Sequence, residues 1–432
     1  MYCGYITELH GLRKHSNADR LQCVNVFGNN IIVDLSYQEG QKVVFFPVDG
    51  QLSQEYAEQN HLLRVKDEQG NNVGGYMDPE KRNVRAIKLR GERSEGLILP
   101  VETLSPWVDV GTLKVGDKIS SLNGTEICKK YIPKRTPRSA SANSNNKSKK
   151  KYRKDKIKIS FPLFKEHIDT EQLAYNKGAF KPGDRCTITL KMHGSSGRTT
   201  YTQEIIEKSH WWNRILHRPP KINRQWMTAS GSRRIVLEKF DGSGYYGTNE
   251  FRKKYQDFFK DKLEKFETVY YEIVGYVDDN TPIMGSVSTK DKELKKLYGD
   301  TMEFSYGCEK GSNDIYVYRM TMTNEDGYVV EYPDWLMRLR CEQMGVKCVP
   351  LFERFTYTTW EDLMERVEKY YDGPDPIGRT HIREGVVVRI ENREKFKAYK
   401  HKNFTFKLVS GLIAESIADS ESDMSDDILS EL

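Results

Sequence analysis

The sequence predicts an α+β protein: a small N-terminal β-barrel, a basic linker, and a larger domain of strands and helices. Three observations carry that prediction. Short β-rich runs divided by Gly, Asn and Pro fill residues 1–128. A dense run of cations, poor in apolar residues, occupies 129–158. From 159 to 413 apolar residues recur both at helical spacing and in short continuous strands.

In the N-terminal part, Leu21–Val26 and Asn30–Val33 flank a Gly-Asn-Asn turn, which is a hairpin signal. Further strand-like runs follow at Lys42–Phe46, Val84–Leu89 and Leu97–Leu99. Five or six short strands in this length suggest a small barrel, for which the OB fold is a common solution. Two segments, Lys14-His15-Ser16-Asn17-Ala18-Asp19-Arg20-Leu21 and Ile87-Lys88-Leu89-Arg90-Gly91-Glu92-Arg93-Ser94-Glu95-Gly96-Leu97, resemble landmarks of tRNA-binding OB-fold modules. Ser16 stands where proline is usual. The same residues also serve a purely architectural role in such a barrel.

The linker, 129–158, holds thirteen Lys/Arg against one acid, whereas the tail, 414–432, holds seven acids and no base. What remains of the overall +6 charge is nearly balanced, so the basicity is a tether and not a property of the whole surface. Such a segment buries too little apolar area to order itself, and its cations suit phosphate backbones. In the 159–413 domain, Phe251, Tyr255, Phe258, Phe259, Leu263 and Phe266 predict an amphipathic helix within 249–266. Thr358-Thr359-Trp360-Glu361 predicts a capped helix running to about Tyr370. Strands are expected at Thr187–Met192, Val269–Val277, Ile315–Met320 and Gly385–Ile390. The seven scattered cysteines, without a Cys-x-x-Cys pair, argue for a cytoplasmic or other reducing intracellular compartment and against structural zinc. No apolar stretch of membrane-spanning length and no secretory signal is present, so no membrane partner is expected.

Five clusters carry chemistry. Lys191-Met192-His193-Gly194 ends a strand; a lysine in a desolvated setting becomes an amine nucleophile, and glycine lets backbone approach a bulky ligand. Gly231-Ser232-Arg233-Arg234 sets two guanidiniums before an apolar strand, suited to bidentate phosphate contacts. Tyr270-Tyr271-Glu272-Ile273-Val274-Gly275 places an acid inside an apolar strand, costly unless it has a partner such as a ribose hydroxyl. Arg383-Glu384-Gly385-Val386-Val387-Val388 opens another strand with a glutamate. Finally, Lys400 and Lys402 alternate in Phe396-Lys397-Ala398-Tyr399-Lys400-His401-Lys402-Asn403, so they share a strand face and can converge on one phosphate. Singly each cluster has a dull explanation, because a lysine-histidine-glycine match or a solvated Lys-x-Lys face is common.

In this order the five resemble the covalent nucleotidyltransferase superfamily of ATP-dependent ligases and mRNA-capping enzymes, over about Ile159 to Leu408. His193, where DNA ligases and capping enzymes usually carry aspartate, and the Tyr399–Asn403 pattern are similar to RNA ligases. An N-terminal OB-like module with no second OB domain after the last motif resembles the nick-sealing RNA ligase branch. The resemblance implies a nucleotidyltransferase (ATP-grasp-like ligase adenylation) domain of antiparallel sheets flanked by helices.

It also implies roles. Lys191 would attack the α-phosphorus of ATP to form lysyl-AMP. Lys400 and Lys402 would grip the α-phosphate, Glu384 would hold the water shell of Mg²⁺ or Mn²⁺, and Glu272 would bind ribose hydroxyls. His193 and Arg233 would assist at the phosphates, with Gly194 beside them. An aromatic from Tyr316 and Tyr318 would stack on adenine, or both would sit in the core. Leu190 and Thr189 stand where related ligases carry an adenine-reading glutamate, so Thr189 and backbone groups are the local candidates for ATP over GTP. Arg198 is displaced from the arginine that follows the nucleophile in DNA ligases and receives no ribose role. The insertion Trp211-Trp212-Asn213-Arg214, with His217, Arg218, Lys221, Arg224 and Trp226, suits RNA ends or a packed hairpin equally. The expected partner is RNA, as a nicked duplex, broken ends or an RNA/DNA hybrid, bound by a monomer. Alternatives are a DNA ligase, a capping guanylyltransferase, or a non-catalytic RNA-binding relative. His193 and the lack of a distal OB domain disfavour the first two, and the intact lysines and glutamates disfavour the third.

Overall fold

The computed structural model describes residues 2–70, 72–131, 155–210, 218–237, 240, 246, 248–289, 292–407 and 409. Most of the basic linker, the acidic tail and residues 211–217 of the aromatic insertion lie outside them. The chain divides into two compact units, Met1–Arg135 with Phe404–Leu432, and Thr136–Asn403. Its architecture is mixed α+β, with mainly antiparallel sheets.

In the first unit a five-stranded antiparallel sheet runs in the order Ala86–Leu89, Glu92–Pro100, Lys42–Pro47, Gly4–Glu8, Lys118–Ile119. Lys42–Pro47 is central, and its continuous Val-Val-Phe-Phe run is buried on both faces, as a covered strand requires. Arg13–Lys14, Leu21–Val26 and Asn29–Asp34 form a three-stranded sheet. The hairpin turn is Phe27-Gly28, one residue earlier than the Gly-Asn-Asn reading placed it, because both residues take positive φ and Val26 pairs with Asn29. The Val84–Leu89 run is broken at Arg85, and the Leu97–Leu99 run extends to Glu92–Pro100. The ladder hydrogen bonds describe open sheets.

The OB-like landmarks act architecturally within this unit. Buried His15 accepts the Asn17 N–H at Nδ1 (3.0 Å) and meets the Leu89 carbonyl through Nε2 (3.2 Å). Arg13 forks onto both oxygens of Glu92, at 2.9 and 2.6 Å. The segment from Phe404 belongs to this unit, whereas the sequence pattern carried the second domain through 413. Phe404, Phe406 and Val409 are buried, the Arg93 guanidinium lies 4.8 Å from the Phe404 ring centroid, and Lys407 Nζ meets Glu95 Oε1 at 2.6 Å.

The second unit has two large sheets, beside a small ladder of Val287–Ser288 with Thr301–Met302. A seven-stranded sheet has the path Asp155–Ser160, Ser195–His210, Glu267–Asp278, Asn313–Thr323, Val329–Glu331, with Lys221–Gly231 paired to Ser195–His210 and Thr281–Pro282 to Glu267–Asp278. A five-stranded sheet runs Glu171–Gln172, Ala398–Lys402, Gly385–Ile390, Arg185–Leu190, Leu351–Thr356. Gly385–Ile390 is as expected, Glu267–Asp278 and Asn313–Thr323 are longer than their apolar runs, and the strand expected at Thr187–Met192 is Arg185–Leu190, ending before Lys191. Helix Glu250–Phe259 puts Phe251, Tyr255 and Phe259 against Val269, Tyr271 and Ile273 of the larger sheet. Helix Trp360–Tyr371 puts Leu363 and Val367 against Ile188, Val386 and Val388 of the smaller. Its N-cap is Thr359, whose Oγ1 accepts the Asp362 N–H at 3.2 Å. The cap lies one residue beyond the predicted one, because Asp362 rather than Glu361 occupies the third helical position. Among the described residues no helix is long and apolar enough to cross a membrane, and all seven cysteines are free.

Candidate active site

Lys191-Met192-His193-Gly194 is the crossover from the five-stranded sheet to the seven-stranded one: Arg185–Leu190 ends just before it and Ser195–His210 starts just after. Leu190, the last residue of the strand, and Met192 in the crossover pack in a core cluster with Val274, Tyr306, Tyr316 and Val349, whereas Lys191 reaches Glu384. The Lys191 N–H donates to the Gly385 carbonyl (3.0 Å), tying the crossover to the strand that Glu384 opens.

The neighbouring sheet requires glycine at Gly194. A Cβ there would sit 2.3 Å from the Ile273 carbonyl oxygen and 2.9 Å from Glu272 Cγ, so the close approach is to the neighbouring sheet. Gly385 has φ of +137°, and a Cβ on it would lie 2.1 Å from the His401 carbonyl oxygen. That close packing brings the Lys402 strand alongside Glu384, and the Asn403 N–H donates to the Glu384 carbonyl (2.9 Å).

The convergence is tight. Glu384 is 3 % exposed. Its Oε2 lies 2.7 Å from Lys191 Nζ and 3.8 Å from His193 Nδ1, and its Oε1 lies 3.4 Å from Lys402 Nζ. Burial pushes this carboxyl upward, but Lys191, Lys402 and His193 outweigh it and hold it down at about 2. Oε2 takes no aligned hydrogen bond despite the ion contact with Lys191. Glu272, on the larger sheet, differs. Burial pushes it up to about 7, with Lys191, Arg233 and Arg252 pulling down and Glu384 pushing up.

Of the residues singled out from the sequence, Lys191, His193, Glu384 and Lys402 meet directly. Lys400 lies one alternate position along the same strand, opposite Val387. Thr189 is also opposite Val387, its hydroxyl 3.5 Å from that carbonyl. Leu190 is a core residue. Tyr316 lies opposite Glu272 and packs in the Leu190–Met192 cluster, while the Tyr318 hydroxyl is 3.1 Å from Ser196 Oγ. Burial, then the charge of Glu272, pushes the Tyr318 hydroxyl up. Arg233 and Arg234 follow the Lys221–Gly231 strand as an exposed turn instead of opening an apolar strand; both reach Asp169. Buried Arg198 donates from Nε to the Ser232 carbonyl (2.9 Å) and stacks 4.2 Å from the Phe164 ring centroid, so its part is structural.

Sequence patterns missed the wall behind the crossover. The His193 N–H donates to the Tyr306 hydroxyl at 2.7 Å, and the His193 ring meets Phe304 edge-on at 4.9 Å between centroids. Tyr306 has φ of +53° and meets buried His381 edge-on at 4.4 Å between centroids; burial, then His193, pushes His381 down to about 3. Only the Tyr306-Gly307 turn hinted at this, and a tyrosine before a glycine is too common to single out.

The residues fit a hard divalent ion. Glu384 Oε2 is buried, anionic and without an aligned hydrogen bond, and one carboxylate with waters and phosphate oxygens suits Mg²⁺ or Mn²⁺. Among the described residues no cluster of three or more His, Cys, Asp or Glu forms an all-protein cage.

Lys191 just beyond a strand end, buried Glu384 and Lys402 thus form one lysine–carboxylate–lysine cluster, an arrangement able to take up a phosphate. The RNA ligase sequence profile matches residues 184–409, more than half of the chain, so the protein belongs to the RNA ligase family. Solved structures of Naegleria gruberi RNA ligase variants share its fold. One with AMP and Mn is 16% identical, covers 94% of this chain and 97% of that chain, and has a TM-score of 0.57. Another, with ATP and Mn, is 17% identical over 94% and 98% of the two chains at a TM-score of 0.56. An apo variant is 17% identical over 94% and 97%, with a TM-score of 0.57. A search of curated protein sequences finds no match.

Proposed function

We propose that this RNA ligase uses ATP to join a 3′-OH RNA end to a 5′-phosphate end, at nicks, through a lysyl-AMP intermediate. The observation that carries the reading is Glu384 held between Lys191 and Lys402. Lys191, paired as a cation with Glu384, gives up a proton to solvent and its amine attacks the α-phosphorus of ATP; an N–P bond forms, the bond from the α-phosphorus to the bridging oxygen breaks, and pyrophosphate leaves. A 5′-phosphate oxygen of the RNA then takes the AMP and releases Lys191. The 3′-OH oxygen attacks that 5′-phosphorus, and AMP leaves as the phosphodiester forms.

Negative charge gathers on phosphate oxygens at every step, so fixed cations give the largest help. Lys402 and Lys400 on one strand face would hold the α-phosphate, with His193 and Arg233 at the remaining oxygens. Mg²⁺ or Mn²⁺, when bound, would neutralise phosphate charge, and Glu384 would hold its water shell. Glu272, whose carboxyl sits near its neutral point, suits a pair of ribose hydroxyls. Thr189 with backbone groups would read adenine beside Tyr318, and the N-terminal unit would serve as an OB-fold-like RNA-binding module.

Incubation with α-labelled ATP or GTP and Mg²⁺ tests the reading. A denaturation-stable, acid-labile label from ATP that disappears in Lys191→Ala is expected, and no adduct with either nucleotide would refute it. Nicked duplexes with RNA or DNA on each side then test the ends it joins.

A further inference from the structure

The seven-stranded sheet continues past its own core. Beyond about Gln203, Ser195–His210 and its partners Asp155–Ser160 and Lys221–Gly231 run on as a three-stranded ribbon. Ile157 and Ile222 are 58 % and 54 % exposed, on opposite faces, and every residue of Lys221–Gln225 is exposed. A ribbon open on both faces gains little from packing inside the protein, so its length needs another explanation.

Its charge supplies one. Lys158, Lys208, Lys221 and Arg224 are exposed on it. Its acids include Glu204, which accepts from Gln225 Nε2, and Glu207, with Oε2 3.9 Å from Lys158 Nζ. Lys208 stands directly opposite Lys221 in the ladder, and like charges directly opposite destabilise a sheet. A polyanion removes that repulsion. By register, Lys158 and Arg224 share one face, while Lys208 and Lys221 share the other. The strand starts at Ser195, next to Gly194, and at ~3.3 Å per residue it carries Lys208 roughly 40 Å along from the crossover.

We propose that this ribbon lies along the phosphate backbones of an RNA duplex, with Lys158 and Arg224 toward one strand and Lys208 and Lys221 toward the other. It holds the RNA on the order of a dozen base pairs from the reacting ends. The partner, a duplex leading to the junction, rests on the ligase reading above; the phosphate-binding surface is a separate claim with its own test.

The test compares the wild-type protein with the variant carrying Lys158→Gln, Lys208→Gln, Lys221→Gln and Arg224→Gln. Binding is measured to nicked RNA duplexes with about twenty or about six base pairs on each side of the nick, across a salt series. For the long duplex, Kd should rise about tenfold or more at 0.1 M salt, and the slope of log affinity on log salt should flatten by about 3. The short duplex should bind both proteins alike, and lysyl-AMP formation should match wild type, which shows that the variant is folded. Unchanged long-duplex affinity and slope in a variant that still labels would overturn the ribbon's role and leave a protein partner for this face. A wild-type protein that forms no adduct would instead defeat the ligase reading, with the RNA comparison still deciding the ribbon.

Discussion

The five-stranded and seven-stranded sheets of the second unit each bring one glutamate toward Lys191, and the two carboxyls sit in opposite electrostatic settings. Glu384 is held down at about 2 and Glu272 is pushed up to about 7. Burial opposes ionisation in both, so burial does not distinguish them. The cations in contact do: Glu384 has Lys191 at 2.7 Å and Lys402 at 3.4 Å, with His193 close by. Glu272 feels Lys191, Arg233 and Arg252 without such a ring of contacts, and Glu384 itself repels its charge. A permanently anionic carboxylate suits a cation, and one near its neutral point suits hydroxyl groups.

The largest test of this contrast is Glu384→Gln. It leaves Lys191 and Lys402 facing each other uncompensated, and should cost about 3 kcal/mol of stability in a urea titration. Lysyl-AMP formation should fall at least ~100-fold. The depressed carboxyl contributes stability that is fully present above pH 4.5 and lost as pH falls toward about 2, so the variant should also lose that acid-limb dependence. A variant as stable as wild type at pH 7 would show that the contacts of Lys191 and Lys402 with Glu384 are not holding the site.

Tyr306→Phe should have a middling effect. It keeps the ring on His381 but removes the acceptor of the His193 N–H. Labelling should slow by about fivefold to tenfold with KM for ATP unchanged, as expected for one hydrogen bond that only orients the crossover. A rise in KM with an unchanged rate would instead place Tyr306 in nucleotide binding.

The smallest effect is that of Glu272→Gln on the unliganded protein. The folded carboxyl keeps its proton up to about 7, against a reference value of 4.5, so between these values the wild-type protein loses stability as pH rises. Glutamine does not titrate. The variant should therefore be more stable than wild type by of order 1 kcal/mol at pH 8, after allowance for solvent screening. The gain should shrink steadily toward pH 5 in thermal melts, and a gain that is flat with pH would mean that Glu272 is already ionised throughout.

Much of the scaffold was legible because it is local. The Arg185–Leu190 and Gly385–Ile390 strands and the aromatic face of Glu250–Phe259 follow from periodicities of two and 3.6 residues. Legibility failed where a residue's meaning depends on a distant partner. That Gly194 must make room for the backbone of Ile273 could not be read from its neighbours in sequence. Arg198, left without a role, binds the turn after Gly231. Tyr306 carried no signal beyond a tyrosine before a glycine, because its acceptor function exists only once the crossover passes over it.

The order of strands and the side chains available along them, three lysines and two acids, were written in the sequence, since side-chain type and local period need no tertiary contact. Folding chose how those groups are used. Registers across the small sheet place Lys191, Glu384 and Lys402 in contact although they are far apart in the chain. The crossover at Gly194 adds Glu272 from the other sheet, and Phe404 onward joins the N-terminal unit. Charge state is a collective property of these convergences, because a carboxyl titrates against every cation and apolar surface around it and not against its neighbours in sequence.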